Sequence, residues 1–488
     1  MKDPNLAPRT TMHLFLLQAL RNGSSKFRMG ISLFVPVFAW LAILGTTSCG
    51  PTDDQLEGPD DIFLITVDTL RADHVGFLGY PDDTTPFLSS LADRSAVFTN
   101  AYSSASHTTP SHASLFTSKY PAQHGAMENG MHVNEGVPTM ATLFRERGYR
   151  TAAFTSVRFL KTLKTGFELF DAHDPEKGRY RPAHQTYEAA TGWLSEQQSG
   201  QPVFVWVHLF DVHEWNKPKP RENVWLKTLR VDSTLEEKDR RAFFRDHHGM
   251  DVDAFESPYG LKKAVNSYDR RILFIDQQTE IFFKSATALQ RDLDSLWIFT
   301  ADHGEGLYSH GYQGHGMHLY REQLHVPLLI YSSRGLGSGV RSDRHVRHLD
   351  LLPTLAEHVQ LSTSRLEGQS FLTLLKAKKS AFGDHVSFAQ RRPVSQELLD
   401  DGWNPETLHT AFDQNYKYIR HSDLEDEFYD LRSDPLELDN RIEGSSTELE
   451  RLKQSLTDHL ERIGEGSVDG SSVTEETREE LRALGYVE

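Results

Sequence analysis

The feature that most constrains this chain is a set of short apolar runs, each closing on an acidic or imidazole side chain. Ile62-Phe-Leu-Ile-Thr-Val67 is followed by Asp68, and Val203-Phe-Val-Trp-Val207 by His208 and, a few residues on, Asp211. Leu296-Trp-Ile-Phe-Thr300 leads into Asp302-His303, and a fourth run is Leu328-Leu-Ile-Tyr331. Runs rich in β-branched and aromatic residues, with no polar alternation, are strands buried on both faces, which is the habit of parallel sheets. Helical patterns lie between them, at Met140 to Glu146 and Tyr268 to Phe283. Strands alternating with helices predict a doubly wound α/β sheet with helices on both faces. In such sheets ligands bind beyond the carboxyl ends of the strands, so the Asp- and His-bearing loops should meet in one crevice.

The 488 residues allow a large α/β domain and a smaller one. A formal charge of −17 excludes a general nucleic-acid binder, because no basic surplus exists to neutralise phosphates. A small anionic substrate stays open to it, since a metal and a few local donors can outvote the global field. With one cysteine, Cys49, the chain has neither an intramolecular disulfide nor a Cys-based zinc site.

Cys49 ends an export-type segment. Arg21, Lys26 and Arg28 precede the apolar run Ile31 to Leu44, and the small residues Gly45-Thr-Thr-Ser48 follow it. The arrangement resembles a bacterial lipoprotein signal, with Thr46 where such signals usually carry Leu. It implies lipidation at Cys49, attachment to the membrane by a lipid anchor and a place in the cell envelope. An uncleaved membrane anchor and an ordinary cleaved signal remain open, as does a start at Met29 rather than Met1. The expected organisation is an export signal over 1–49, an acidic tether over 50–60, a catalytic domain over 61–385 and a C-terminal α+β subdomain over 386–488. In the last, Tyr416 to Ile419 and Glu427 to Leu431 read as strands, and Thr447 to Ile463 and Glu475 to Leu484 as helices.

Asp68 at a buried strand end is costly unless paired or metal-bound, with an N-cap as the plain alternative. Asp302-His303-Gly304-Glu305 offers a carboxylate and an imidazole together, then a glycine suited to a sharp turn. In His107-Thr-Thr-Pro-Ser-His-Ala-Ser-Leu-Phe116, Pro110 suits a first helical turn, with Thr108 and Thr109 at the cap. A hydroxyl there faces the positive end of the helix dipole, and His112 lies four residues on, on the same face. A plain Thr-Pro helix start is the alternative.

These motifs, in this order, resemble the sulfatase-like branch of the alkaline phosphatase superfamily. The resemblance rests on Val67-Asp-Thr-Leu-Arg-Ala-Asp-His74, the Thr108 segment, Ala301-Asp-His-Gly-Glu-Gly306 and Gly314-His-Gly-Met-His-Leu-Tyr320. It continues through His325-Val-Pro-Leu-Leu-Ile330, His348 to Leu355, Phe428 to Pro435 and Leu481-Arg-Ala-Leu-Gly-Tyr-Val487. It implies an alkaline-phosphatase-like fold and one divalent metal ion (manganese, zinc, magnesium or calcium) held by Asp68, Thr108, Asp302 and His303. Thr108 matches the nucleophile, Asn129 a contact to the substrate oxyanion, and His213 a histidine near the leaving group. His112 stands where sulfatases have an Arg, and His315 where many have a Lys on the ester oxygens. His310 and His318 either complete the substrate pocket or are structural.

Thr108 departs from the Cys or Ser that formylglycine sulfatases convert to an aldehyde. Threonine cannot give that aldehyde. The resemblance therefore points to a metal-bound threonine that cleaves a phosphodiester, by hydrolysis or phosphotransfer. A sulfatase using another route and a metal-binding but inactive surface lipoprotein are the alternatives. The partner expected is a small anionic ester, from an envelope lipid or glycan. Asn216 to Tyr259, with Trp215, Trp225, Phe243 and Phe244, reads either as a specificity loop or as a surface insertion.

Overall fold

The structure, a computed structural model, describes residues 61–216, 229, 231, 261–364, 366–376, 382, 385–391, 407–464 and 473–486. Cys49, the expected signal and tether, Trp225, Phe243, Phe244 and most of the expected specificity loop lie outside the described residues.

Twelve strands are described: β1 Asp61–Val67, β2 Ser95–Tyr102, β3 Arg150–Thr155, β4 Leu169–Ala172, β5 Val203–Leu209 and β6 Ser295–Ala301, then β7 His325–Ser332, β8 Arg341–Arg347, β9 Ser387–Arg391, β10 Leu408–Phe412, β11 Tyr416–His421 and β12 Glu427–Asp430. The first eight form one sheet in the order β4-β3-β5-β1-β6-β7-β2-β8. Every residue of β1, β5 and β6 is buried, as continuous apolar runs require.

The sheet is mixed rather than wholly parallel. β7 runs antiparallel to both β6 and β2. Its apolar run reports burial on two faces, and strand direction leaves that pattern unchanged. The chain leaves β6 at Ala301, loops through Asp302 to Leu324 and enters β7 at the same end, so no crossover helix intervenes.

Two groups of helices flank the sheet. Leu261–Ala288 packs on Ala183–Ser195 and Pro86–Ala92, whereas Thr108–Thr117 packs on His348–His358 and Met140–Glu146. The four-stranded antiparallel sheet runs β12-β11-β10-β9. Helix Thr447–Ile463 covers β10 and β11 with Leu449, Leu452, Leu456 and Leu460, one stripe at helical spacing, against Ala411, Tyr418 and Phe428. Each such leucine contributes about 1.5–3 kcal/mol by leaving water. Tyr102, Leu319, Leu324, Ala389, Leu408 and Phe412 join the two sheets, and helix Glu475–Leu484 returns Leu481 and Leu484 to the main core.

Register places the site. Val67 of β1 is paired with both Leu209 of β5 and Ala301 of β6. The residues that follow, Asp68 and Asp302, therefore leave the sheet at one level, side by side.

Candidate active site

Thr108 opens the helix Thr108–Thr117, all of whose residues are buried. His107, in extended conformation, is the residue before it and makes no side-chain cap bond. Asn129 supplies the helix start instead, its Oδ1 accepting from Thr109 N at 2.9 Å. Ser111 Oγ donates to the Asp302 carbonyl at 2.5 Å, tying the helix to the β6 loop.

Thr108 Oγ1 lies 3.5 Å from Asp68 Oδ2 and 3.4 Å from His303 Nε2. His303 Nε2 is in turn 3.4 Å from Asp302 Oδ2 and 3.9 Å from Asp68 Oδ1. His303 Nδ1 faces the Gly304 carbonyl at 2.9 Å and must carry the proton, which leaves the Nε2 lone pair aimed at the cluster. Asp302 Oδ1 accepts from the Thr69 and His303 amides, but Asp302 Oδ2 and Asp68 Oδ1 are buried without a hydrogen-bond partner.

Both carboxyls are fully buried, and burial raises both above the usual range: Asp68 to about 6, and Asp302 well up, with the Asp68 charge adding to the effect. Burial also lowers His303 well below its ordinary value, keeping it neutral. Orphaned carboxylate oxygens beside a neutral imidazole are a ligand set for a hard or borderline cation. Asp68, Asp302 and His303 bring one ligand atom each within 4.8 Å of one another. The 3.4–3.9 Å spacings suit donors about 2.0–2.2 Å from a shared ion. The residues fit one divalent metal.

Thr69 stands apart from that set. Its hydroxyl donates to the Asp68 carbonyl at 2.7 Å, in a left-handed conformation (φ 60°) held by the Thr69 N to Asp302 bond and by Tyr268, whose hydroxyl donates to the Thr69 carbonyl. Gly304 differs from its sequence reading. It has no positive φ, and what it allows is close approach, since a Cβ there would lie 1.9 Å from the Glu322 carbonyl.

His112 was expected on the substrate side, yet both its nitrogens are engaged in the protein interior. Nδ1 donates to the Thr108 carbonyl at 2.8 Å, and Nε2 takes the Thr66 hydroxyl at 2.9 Å. Thr66 Oγ1 itself accepts from Trp206 Nε1 at 2.9 Å. His112 thus fastens the turn that carries Thr108. His315 and His213 do converge on the site: the His315 ring is 4.7 Å from that of His303 and 5.0 Å from that of His213. His213 stacks on Phe210 at 4.1 Å, and neither of its nitrogens has a hydrogen-bond partner.

His310 and His318 fall elsewhere. His310 sits between Glu322 Oε1 at 2.8 Å and the Glu437 carbonyl at 2.9 Å, stacked on Tyr320. His318 packs on Tyr312 and Tyr320. Asp211 accepts from Ala183 N at 2.9 Å, capping the helix Ala183–Ser195.

Four residues join the site that the sequence reading left without a role. Glu305 Oε2 accepts from Trp215 Nε1 at 2.9 Å and lies 3.4 Å from His315 Nδ1, so it orients His315. Thr66 supports His112. His208, buried and unpartnered at both nitrogens, places Nε2 3.3 Å from Asp68 Oδ2. Tyr486 brings its hydroxyl 3.3 Å from Thr108 Oγ1. His208 had a signal, its place at a strand end; Tyr486, 378 residues from Thr108, had none beyond the motif around it.

The fold and this cluster together define an alkaline-phosphatase-like ester hydrolase. The chain belongs to the Sulfatase family, whose profile matches residues 60–361, and an N-sulphoglucosamine sulphohydrolase C-terminal profile matches residues 309–465. It is 24% identical to the uncharacterized sulfatase YidJ of Escherichia coli (strain K12), over 84% of this chain and 88% of that protein. It is 22% identical to an arylsulfatase of Clostridium perfringens (strain 13 / Type A), over 85% of this chain and 97% of the relative. The fold matches the crystal structure of a phosphonate monoester hydrolase of Agrobacterium radiobacter, with a TM-score of 0.65 and 19% identity, over 83% of this chain and 95% of that one.

Proposed function

We propose that this protein is a metal-dependent hydrolase in which Thr108 attacks the central atom of an anionic ester. One observation carries the reading: the Thr108 hydroxyl lies at a helix N-terminus within 3.5 Å of Asp68 and 3.4 Å of His303, the two side chains that open onto the orphaned carboxylate oxygens. The metal, held by Asp68, Asp302, His303 and Thr108, would lower the pKa of the hydroxyl and shield the ester's charge. Asn129 and His315 bind the non-bridging oxygens, Asn129 through the amide NH₂ that its bond to Thr109 leaves over. The Thr108 oxygen, ionised before attack, forms a bond to the central atom as the bond to the leaving group breaks, and protonated His213 gives that group its proton. Water then attacks the same atom, giving a proton back to His213, as the bond to Thr108 breaks and leaves its oxygen ionised for the next cycle. His112 holds the nucleophile's own carbonyl.

A threonine ester has no carbonyl route to elimination, so the second step is direct attack on the central atom. Such attack is easier at phosphorus than at sulfur, which favours a phosphodiester. A sulfate ester is the second reading, favoured by the sulfatase names of the relatives. Cys49 is the proposed lipid anchor, holding the enzyme at a bacterial cell envelope near an anionic lipid or glycan. The deciding experiment follows aryl phosphodiester, phosphate monoester and sulfate turnover with each of the four metals, for wild type and Thr108→Ala. Turnover lost in Thr108→Ala supports the mechanism, and the preferred ester assigns the class. Equal turnover by both proteins rejects Thr108 as nucleophile, and metal binding without turnover of any ester favours an inactive relative.

A further inference from the structure

The ring of Tyr486 lies beside His213 and His315 at the site. Helix Glu475–Leu484 ends at Gly485, whose left-handed φ of 83° only glycine adopts at little cost. The next amide, Tyr486 N, bonds back to the Leu481 carbonyl at 2.9 Å. That reversal turns Tyr486 inward while Leu481 and Leu484 anchor the helix in the main core.

Two arginines fasten the same segment. Arg158 holds Glu480, through its amide at 2.7 Å, and Glu476, through its guanidinium. Arg179 binds the Ala483 and Leu484 carbonyls and also Glu214, the neighbour of His213. Between these fastenings the Tyr486 ring lies 5.7 Å from Phe159, 5.1 Å from His213 and 5.8 Å from His315. Its hydroxyl meets the Thr108 oxygen at 3.3 Å.

Thr108 Oγ1 otherwise faces a carboxylate of Asp68 and the lone pair of His303, neither of which can donate to it. A phenol carries one O–H, and with the Thr108 proton taken up by Asp68 or His303, Tyr486 is the group left to donate across the 3.3 Å contact to the atom where the ester must react. We propose that Tyr486 is a catalytic residue, donating a hydrogen bond to the ester oxygen that lies beside Thr108 as negative charge develops there. The assignment rests on Thr108 as nucleophile. A donor placed for a transition-state oxygen and held rigidly in advance typically contributes about 10²–10³ in kcat.

The test is Tyr486→Phe in the full chain, which keeps the ring, its packing and the helix. The expected result is kcat lower by about 10²-fold with KM within about threefold, and orthovanadate inhibition weakened about as much as kcat. Binding of inorganic phosphate, which has no transition-state geometry, and the thermal midpoint should stay as in wild type. Unchanged kcat in Tyr486→Phe while Thr108→Ala is inactive overturns the Tyr486 role and leaves the Thr108 reading standing. Phosphate and vanadate binding weakened equally, with a lowered midpoint, assigns Tyr486 to packing and also overturns it. Turnover surviving in Thr108→Ala removes the nucleophile, and the catalytic role of Tyr486 falls with it. If wild type turns over no ester, vanadate binding compared between wild type and Tyr486→Phe decides, and equal affinity overturns the proposal.

Discussion

Replacing Asp68 by Asn should stabilise the protein without metal and destabilise it, relative to wild type, with metal. Asp68 is fully buried, its Oδ1 has no hydrogen-bond partner, and burial pushes its carboxyl from 3.8 up to about 6. At pH 8 the group is ionised in the folded and unfolded states alike. At about 1.4 kcal/mol per pKa unit, the charge costs the metal-free fold about 3 kcal/mol. An amide of the same shape removes that cost, and its NH₂ meets the unpartnered His208 Nε2, now 3.3 Å from Oδ2. Metal-free Asp68→Asn should therefore gain about 1–3 kcal/mol. A metal at about a thousandfold excess over its Kd adds about 4.1 kcal/mol to wild type, more than the variant's metal-free gain, and the variant, short of a ligand, forgoes most of it. Denaturant unfolding at pH 8, first in chelator and then with each divalent ion, reads both signs. A variant less stable than wild type in chelator would refute the argument, because it would mean the carboxylate is held by the protein itself.

Other consequences are as specific. Against the penalty of burial, Glu322 and the Glu437 carbonyl raise His310 from 6.5 to about 8. Its contribution, about 2 kcal/mol at about 1.4 kcal/mol per pKa unit, is complete below pH 6.5 and lost as pH rises through 8. Unfolding free energies from pH 6 to 9 should show that loss in wild type and not in His310→Gln. Lys417 Nζ meets both oxygens of buried Glu437 at 3.0 Å, so Lys417→Met strands a charge. It should cost about 3–5 kcal/mol in denaturant unfolding, most of it recovered by adding Glu437→Gln. Gly304→Ala drives a Cβ into the Glu322 carbonyl and should cost about 1–3 kcal/mol and weaken metal binding measured by calorimetry, because His303 is displaced with the strained loop.

The buried strands were legible because nothing but burial on two faces explains runs such as Ile62 to Val67. β7 was found but not its direction, since the pattern carries none. β3 and β8 gave no run: β3 packs through Thr151, Ala152 and Ala153, and β8 is a half-exposed charged strand, Arg341 to Arg347. The helices Met140–Glu146, Thr447–Ile463 and Glu475–Leu484 have the bounds read from the sequence pattern. At the site, Asp68, Thr108, Asp302 and His303 do converge, because strand ends and a helix start are positions a sequence can mark. His112 could not be oriented in advance. Its partners, Thr66 and Thr108's own carbonyl, are set by how the helix lies on β1. His310 and His318 fell away for the same reason, having found Glu322, Tyr312 and Tyr320 as neighbours.

The seat of His112 also bounds how this site could be re-engineered or could have diverged. Exchanging Thr108 for Cys and His112 for Arg would restore the letters of a formylglycine motif, but not its chemistry. A guanidinium at position 112 would enter a space already filled by the Thr66 hydroxyl and by Trp206, whose ring lies 5.2 Å from that of His112. It would either take the Thr108 carbonyl and the Asp302 carboxylate, whose Oδ2 lies 3.7 Å from His112 Nδ1 and is proposed for the metal, or push the nucleophile's helix off the sheet. Traffic between the two chemistries therefore runs through the floor of the sheet, at Thr66 and Trp206, as much as through the residues that face the substrate.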